Sequence, residues 1–119
     1  MTEQAQMDDR LAQLQAGLAK IKEKFLEELP ATVEEFDRLM DCLYEDEDPR
    51  KIIEEIKFHA HKLHGRAGSF GLDDVGQLAA KVEHAALAAL DGADPVHTET
   101  VEANLVMLLD QIDADLSKQ

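Results

Sequence analysis

The sequence predicts an all-α protein, an antiparallel four-helix bundle, from three observations. Strong helix formers such as Ala, Leu, Glu and Lys dominate it, aromatic residues make up only 4%, and there is no Trp. Apolar residues recur at three- and four-residue spacing in successive segments, and no run alternates with the two-residue period of a strand. At 119 residues and 45% apolar residues, the chain is long enough for one domain with a buried core, and we expect residues 1–119 to form it.

The first predicted helix runs from about Asp8 to Tyr44. Its apolar stripe consists of Leu11, Leu14, Leu18, Ile21, Phe25, Leu29, Val33, Phe36, Met40 and Leu43. Pro30 should kink or break the helix, and residues 32–35 ("TVEE") fit a capping box for a fresh helix. We therefore expect one kinked helix, with a short separate N-terminal helix as the alternative.

Start and stop signals bound the other three helices. Asp48 and Pro49 are typical of an N-cap and a first helical turn, and this second helix should run to about Phe70, where Gly71 stops it. A third helix opens at residue 73 or 74, and "DGADPVHT" is a loop before the fourth. The stripes of these last two helices are Val75, Leu78, Ala79, Val82, Ala86 and Leu90, then Val101, Leu105, Leu108, Ile112 and Leu116.

The charge is strongly negative but unevenly distributed. A net charge of −14 argues against nucleic-acid binding, because phosphates would be repelled. Residues 50–68, however, hold five basic and two acidic residues, a balance of +3, so the remaining chain carries −17. This basic segment on an acidic protein is a place where an anion could bind.

The compartment and the oligomeric state follow from what the chain lacks. The single cysteine, Cys42, excludes an internal disulfide and fits a reducing compartment. Residues 1–10 have neither a basic start nor an apolar run, so we expect no signal peptide. No apolar stretch reaches membrane-spanning length, so we expect a cytoplasmic protein without membrane contact. We also expect a monomer, on the view that no long apolar stripe is left unpartnered.

One face of the second helix carries an unusual set of residues. At ~100° per residue, Ile53, Ile56, Ala60, Leu63, Ala67 and Phe70 form the core stripe. His61 lies roughly 130° from the centre of that stripe and should face solvent, together with Lys57, His64, Gly65 and Gly68. The two glycines each cost a helix up to ~1 kcal/mol and clear a flat patch on which another protein could dock.

Several readings of this face stay open on the residues themselves. Phe58, also outside the core stripe, either anchors a partner or covers a loop, and the glycines could instead permit close helix packing. His59 should be an isolated surface residue, as should His84 and His97. A metal shared by the outward-facing pair His61 and His64 is disfavoured, because bundle metal sites project inward. An exposed imidazole with basic neighbours better suits nucleophilic attack on phosphorus.

Residues 61–71, "HKLHGRAGSFG", resemble the signature of the histidine-containing phosphotransfer (HPt) domains of bacterial two-component phosphorelays. The similarity extends through "GLDDVGQLAAKVE" and includes "FLEELP" and the last helix, so it covers nearly the whole chain. The resemblance implies a helical bundle whose exposed histidine, here His61, accepts a phosphoryl group and passes it on. It implies receiver domains and a sensor (hybrid) histidine kinase as partners, and no cofactor or metal.

The resemblance also assigns roles to neighbouring residues. Gly65 and Gly68 match the small residues that admit the receiver domain, and Glu83, 22 residues after His61, matches a Glu that hydrogen-bonds the histidine in related chemotaxis-kinase domains. The family usually has Lys where this chain has His64, which should weaken charge support for the phosphoryl group. We expect three further basic residues to supply part of this charge support or to contact the receiver: Lys57, Lys62 and Arg66.

Two functions from different classes follow. The first is a stand-alone phosphocarrier without a kinase ATP-binding domain, which moves phosphoryl groups between receiver aspartates through His61. The second is a helical adaptor that keeps the fold and binds receivers or kinases without phosphorylation, and the replacement of the usual Lys by His64 keeps it open.

Overall fold

A computed structural model describes residues 3–45, 48–92 and 96–119. Four helices occupy these ranges: α1 (Glu3–Glu45), α2 (Pro49–Ser69), α3 (Asp73–Asp91) and α4 (Glu99–Leu116). Every regular element in the described residues is an α-helix, which confirms the predicted all-α bundle. Residues 46–47, between the first two predicted helices, and residues 93–95, within the predicted loop "DGADPVHT", lie outside the described residues.

Helix α1 is continuous through Pro30, so the prediction of a fresh helix or a separate N-terminal piece is wrong for residues 3–45. Proline removes one backbone donor, which is costly mainly where the freed carbonyl is buried. Pro30 is exposed, so solvent is available on its side of the helix. The chain nevertheless divides at this residue into two compact units, Met1–Pro30 and Ala31–Gln119. The expectation of one domain over the whole chain stays a prediction.

The unit Ala31–Gln119 combines the second part of α1 with α2, α3 and α4. The predicted stripes of α2, α3 and α4 supply most of its core, while Phe70, Leu78, Leu90 and Leu116 are half-buried at the margins. Leu39 and Ile52 are also buried, which the spacing did not indicate. The largest fully buried side chains of this unit are Phe36, Leu39, Ile53, Ile56, Leu105, Leu108 and Ile112.

A tight turn joins α2 to α3. The amide of Leu72 donates to the carbonyl of Ala67 (2.9 Å), and the amide of Gly71 donates to the carbonyl of Gly68 (3.4 Å). This pair of bonds is the Schellman motif, which needs a left-handed residue after the helix, and Gly71 has φ +80°. The predicted stop is therefore confirmed, and its effect is to turn the chain so that α3 runs back along α2.

Two further contacts fix α3 against α2. A Cβ at Gly76 would lie 3.5 Å from the amide nitrogen of Gly68 and 3.6 Å from the carbonyl oxygen of His64, so the backbones are close there. At the other end, the Arg50 guanidinium donates to the carbonyls of Leu90 (2.8 Å) and Gly92 (3.0 Å). The start of α2 is thus held to the end of α3, as an antiparallel pair requires.

Candidate functional site

His61 projects from the middle of α2 with 70% of its side chain exposed. Its Nδ1 lies 2.7 Å from Oε2 of Glu83 on α3, whose side chain is only 18% exposed. The pairing follows from the antiparallel arrangement. Gly76 of α3 lies close to Gly68 of α2, and Glu83 is seven positions after Gly76 while His61 is seven positions before Gly68. The two residues singled out in the sequence are therefore brought together.

The hydrogen bond decides which ring nitrogen is free. An ionised carboxylate can only accept, so beside it Nδ1 keeps its proton and donates a hydrogen bond to Oε2 of Glu83. In the neutral ring the lone pair then resides on Nε2, the nitrogen away from Glu83. This geometry leaves Nε2 of the exposed imidazole available as a nucleophile. It also places a carboxylate where it can stabilise positive charge on the ring.

The absent side chains of Gly65 and Gly68 leave open space beside His61. A Cβ built on Gly65 or Gly68 meets nothing within 4 Å, whereas one built on Gly76 would contact α2. The alternative that Gly65 and Gly68 permit close helix packing by their missing side chains is therefore wrong, and the close approach of α3 to α2 lies at Gly76, where a Cβ would make ordinary van der Waals contact. Sequence reasoning missed Gly76, although a glycine between the core residues Val75 and Ala79 was a usable signal.

The remaining predicted residues surround His61 on α2. Phe58 is 58% exposed, and Nζ of Lys62 lies 5.3 Å from the centre of its ring, a cation–π contact. Lys57 is half-buried, and both His64 and Arg66 are exposed. The basic residues are thus dispersed around the helix rather than concentrated at His61, and Arg50 is engaged by carbonyl groups at the far end of α2.

His59 is not the isolated surface residue that the sequence predicted. Its side chain is 32% exposed, its Nε2 lies 3.8 Å from Oε1 of Glu35, and its ring makes edge contacts with Phe36 and Phe58. The physical reason is its angular position, about 70° from the centre of the core stripe, which turns it toward α1. His84 and His97 are exposed, as expected.

Two ionisable groups elsewhere in this unit are perturbed by neighbours. The hydrogen bond from Arg38 holds the pKa of the Glu35 carboxyl below its ordinary value. The negative charge of Glu102 raises the pKa of Tyr44 above its ordinary value, and partial desolvation acts in the same direction. Within residues 3–45, 48–92 and 96–119, no group of three or more His, Cys, Asp or Glu side chains is placed to hold a metal ion.

Comparison with known proteins gives one match. The family model of the Hpt domain matches residues 20–115, which is most of the chain and includes the whole site. The chain belongs to the Hpt domain family. No match was found among curated proteins or among solved structures.

Membership states the activity at the level of the family. Hpt domains carry out histidine phosphotransfer in two-component phosphorelays, where they interact with receiver domains and histidine kinases. The match begins at residue 20, within α1, so residues 3–19 of that helix lie outside the matched range. None of the described helices is both long and apolar enough to cross a membrane.

Proposed function

We propose that this Hpt domain accepts a phosphoryl group on Nε2 of His61 from a receiver-domain aspartate and delivers it to the aspartate of another receiver. The observation that carries the proposal is the 2.7 Å contact between Nδ1 of His61 and the Glu83 carboxylate, on a histidine that is 70% exposed. A histidine kept only for a surface or packing role has no need of a partly buried carboxylate that fixes its tautomer.

The transfer step follows from this geometry. The Nε2 lone pair attacks the phosphorus of the incoming aspartyl phosphate, the N–P bond forms, and the bond from phosphorus to the aspartate oxygen breaks. The aspartate leaves as a carboxylate, and the His61 ring becomes a phosphorylated imidazolium that keeps its proton on Nδ1. Glu83 stabilises this positive charge, and the same steps in reverse pass the group to the next aspartate.

The surface around His61 supports docking of the receiver. Because the space above Gly65 and Gly68 is open, a partner's backbone can approach the imidazole closely. Phe58 offers an exposed apolar contact beside it, and Lys62 and Arg66 are exposed cations on the same helix. Receiver domains present acidic phosphorylation pockets, so these charges favour encounter in the cytoplasm, where we place the relay.

The first experiment tests the acceptor. Wild type, His61→Gln and His84→Gln are incubated with a panel of phosphorylated receiver domains, because His84 is an exposed histidine on α3 that lies outside the proposed site. We expect acid-labile, base-stable label on wild type and His84→Gln and none on His61→Gln. If no receiver labels wild type while binding persists in all three proteins, the phosphorylation-independent adaptor is the better account.

A second experiment tests the docking face. Gly68→Leu should leave the protein folded, because the new side chain projects into open space, but should reduce transfer by obstructing the receiver. Ala88→Leu, at an exposed position of α3, is the matched control and should transfer normally. Equal transfer by both variants would show that the receiver does not dock over Gly68.

A further inference from the structure

The first part of α1 carries a row of large apolar side chains that face solvent. Five residues are between 51% and 63% exposed: Met7, Leu11, Leu14, Leu18 and Ile21. Four of them precede residue 20, where the match to the Hpt domain begins. The expectation of a monomer rested on the absence of an unpartnered apolar stripe, and this stripe removes that basis.

The spacing of the stripe is that of a coiled-coil seam. Successive members are four, three, four and three residues apart, so the mean period from Met7 to Ile21 is 3.5 residues. A 3.5-residue apolar repeat keeps one narrow seam facing a partner helix along its length. The next residue in the repeat, Phe25, is 2% exposed, so the exposed seam ends at Ile21.

The charges on the same segment favour a second copy of this helix as the partner, in the antiparallel direction. Residues 3–10 hold three acidic residues and one basic residue, a charge of −2, and residues 20–24 hold three basic residues and one acidic residue, a charge of +2. The nine residues between them, "LAQLQAGLA", are uncharged. A second copy in the antiparallel direction therefore places −2 against +2 at both ends of the seam, whereas a parallel copy places like charges together.

We propose that this protein forms a homodimer through an antiparallel pairing of the apolar seam of α1, residues 7–21, with the same seam of a second copy. Such a pair has a two-fold axis and buries each seam against itself, so it closes at two copies. The inference concerns a surface outside the phosphotransfer site, and it does not depend on the chemistry of His61. His61→Gln is accordingly expected to dimerise like wild type.

The seam is tested by the mass of the full-length protein in solution. Analytical ultracentrifugation across a concentration series should show wild type at twice 13.2 kDa and Leu14→Ser/Leu18→Ser at 13.2 kDa. Leu87→Ser removes a 41%-exposed leucine on α3 and should stay dimeric. An unchanged helical circular-dichroism spectrum and urea midpoint of the seam variant check that the Hpt domain remains folded. A monomeric wild type overturns the proposal, even if the seam is found to bind a helix of another protein. A seam variant that is still dimeric overturns it as well.

Charge reversal tests the direction. Asp8→Lys/Asp9→Lys changes the first end from −2 to +2, and Lys22→Glu/Lys24→Glu changes the second end from +2 to −2. In an antiparallel dimer each double variant should weaken self-association. Mixing the two should restore a dimer that contains one of each, and all four changes in one chain should restore the homodimer. A parallel dimer faces like charges at both ends in wild type, in each double variant and in the fourfold variant, so it predicts equal self-association of all four, while the mixture pairs opposite charges in either direction. Double variants that self-associate like wild type, or a fourfold variant that stays weak, therefore overturn the antiparallel arrangement.

Discussion

Replacing Glu83 by Ala is expected to slow phosphoryl transfer to His61 about tenfold without unfolding the protein. The substitution removes the acceptor that lies 2.7 Å from Nδ1 of His61. The ring then loses both the bond that fixes its tautomer and the negative charge that stabilises the phosphorylated imidazolium. Because Glu83 is at the margin of the helix pair rather than in the core, the loss should be local.

The magnitude follows from two independent considerations. Opposite unit charges 2.7 Å apart attract each other by about 1.5 kcal/mol at the dielectric constant of water. With His61 70% exposed, that aqueous limit is the appropriate one. A hydrogen bond to a charged group contributes about 1.5–3 kcal/mol, which agrees at its lower end. About 1.5 kcal/mol lost from the transition state corresponds to roughly a tenfold slower rate.

Glu83→Gln separates the two contributions. The amide oxygen of Gln can still accept from Nδ1 but carries no charge, and a neutral hydrogen bond is about half as strong, so the loss should be roughly threefold. The assay is the rate of label transfer from a phosphorylated receiver, read together with the ¹⁵N shifts of the His61 ring. In wild type and Glu83→Gln, Nε2 should be the unprotonated nitrogen, and in Glu83→Ala the tautomers should mix. Wild-type rate and tautomer in Glu83→Ala would refute the reasoning.

The remaining predictions concern neighbouring features. His64→Lys should raise the transfer rate or the lifetime of phosphohistidine by a factor of about two to five, as an exposed ion pair can, whereas His84→Lys adds the same charge outside the site and should change neither; unchanged values in both would contradict a charge-supporting role at this position. Gly76→Leu should lower the free energy of unfolding by about 1–3 kcal/mol in urea denaturation, because its side chain would press on the α2 backbone, while Gly76→Ala should be tolerated. Tyr44 is the one tyrosine in a chain without Trp, so its ionisation can be followed by ultraviolet titration. The midpoint should lie above the ordinary pKa of tyrosine and should fall in Glu102→Gln, because the carboxylate opposes ionisation of the phenol. An unchanged midpoint would show that the charge of Glu102 does not act on Tyr44.

The outward face of α2 and the end of this helix were predictable because both follow from local sequence patterns. The three-four spacing from Ile53 to Ala67 is regular enough to place His61 opposite the core, and the structure places it there. The end of the helix at Gly71 was equally clear, since one residue type dominates that position of the turn. The contact with Glu83 depends on how two helices are placed, and the family resemblance supplied it where spacing did not.

Other features depend on tertiary neighbours that periodicity does not contain. The stripe of α1 has one continuous pattern, yet Ile21 is exposed and Phe25 is buried. The difference was not predictable, because spacing identifies an apolar face without showing whether that face is covered. His59 lies at the edge of the core stripe, where a neighbouring helix decides between burial and exposure. A break at Pro30 was one of the two expectations for α1, and it is wrong: the helix continues through this exposed proline.

The most direct test of the central claim is the site of phosphorylation itself. The ¹⁵N-labelled protein is phosphorylated by a cognate receiver, and the ³¹P–¹⁵N coupling is assigned to a ring nitrogen. The account predicts a phosphorus atom bound to Nε2 of His61, with Nδ1 still protonated toward Glu83. Phosphorus on Nδ1 of His61, or on another residue such as His59 or His64, would contradict it.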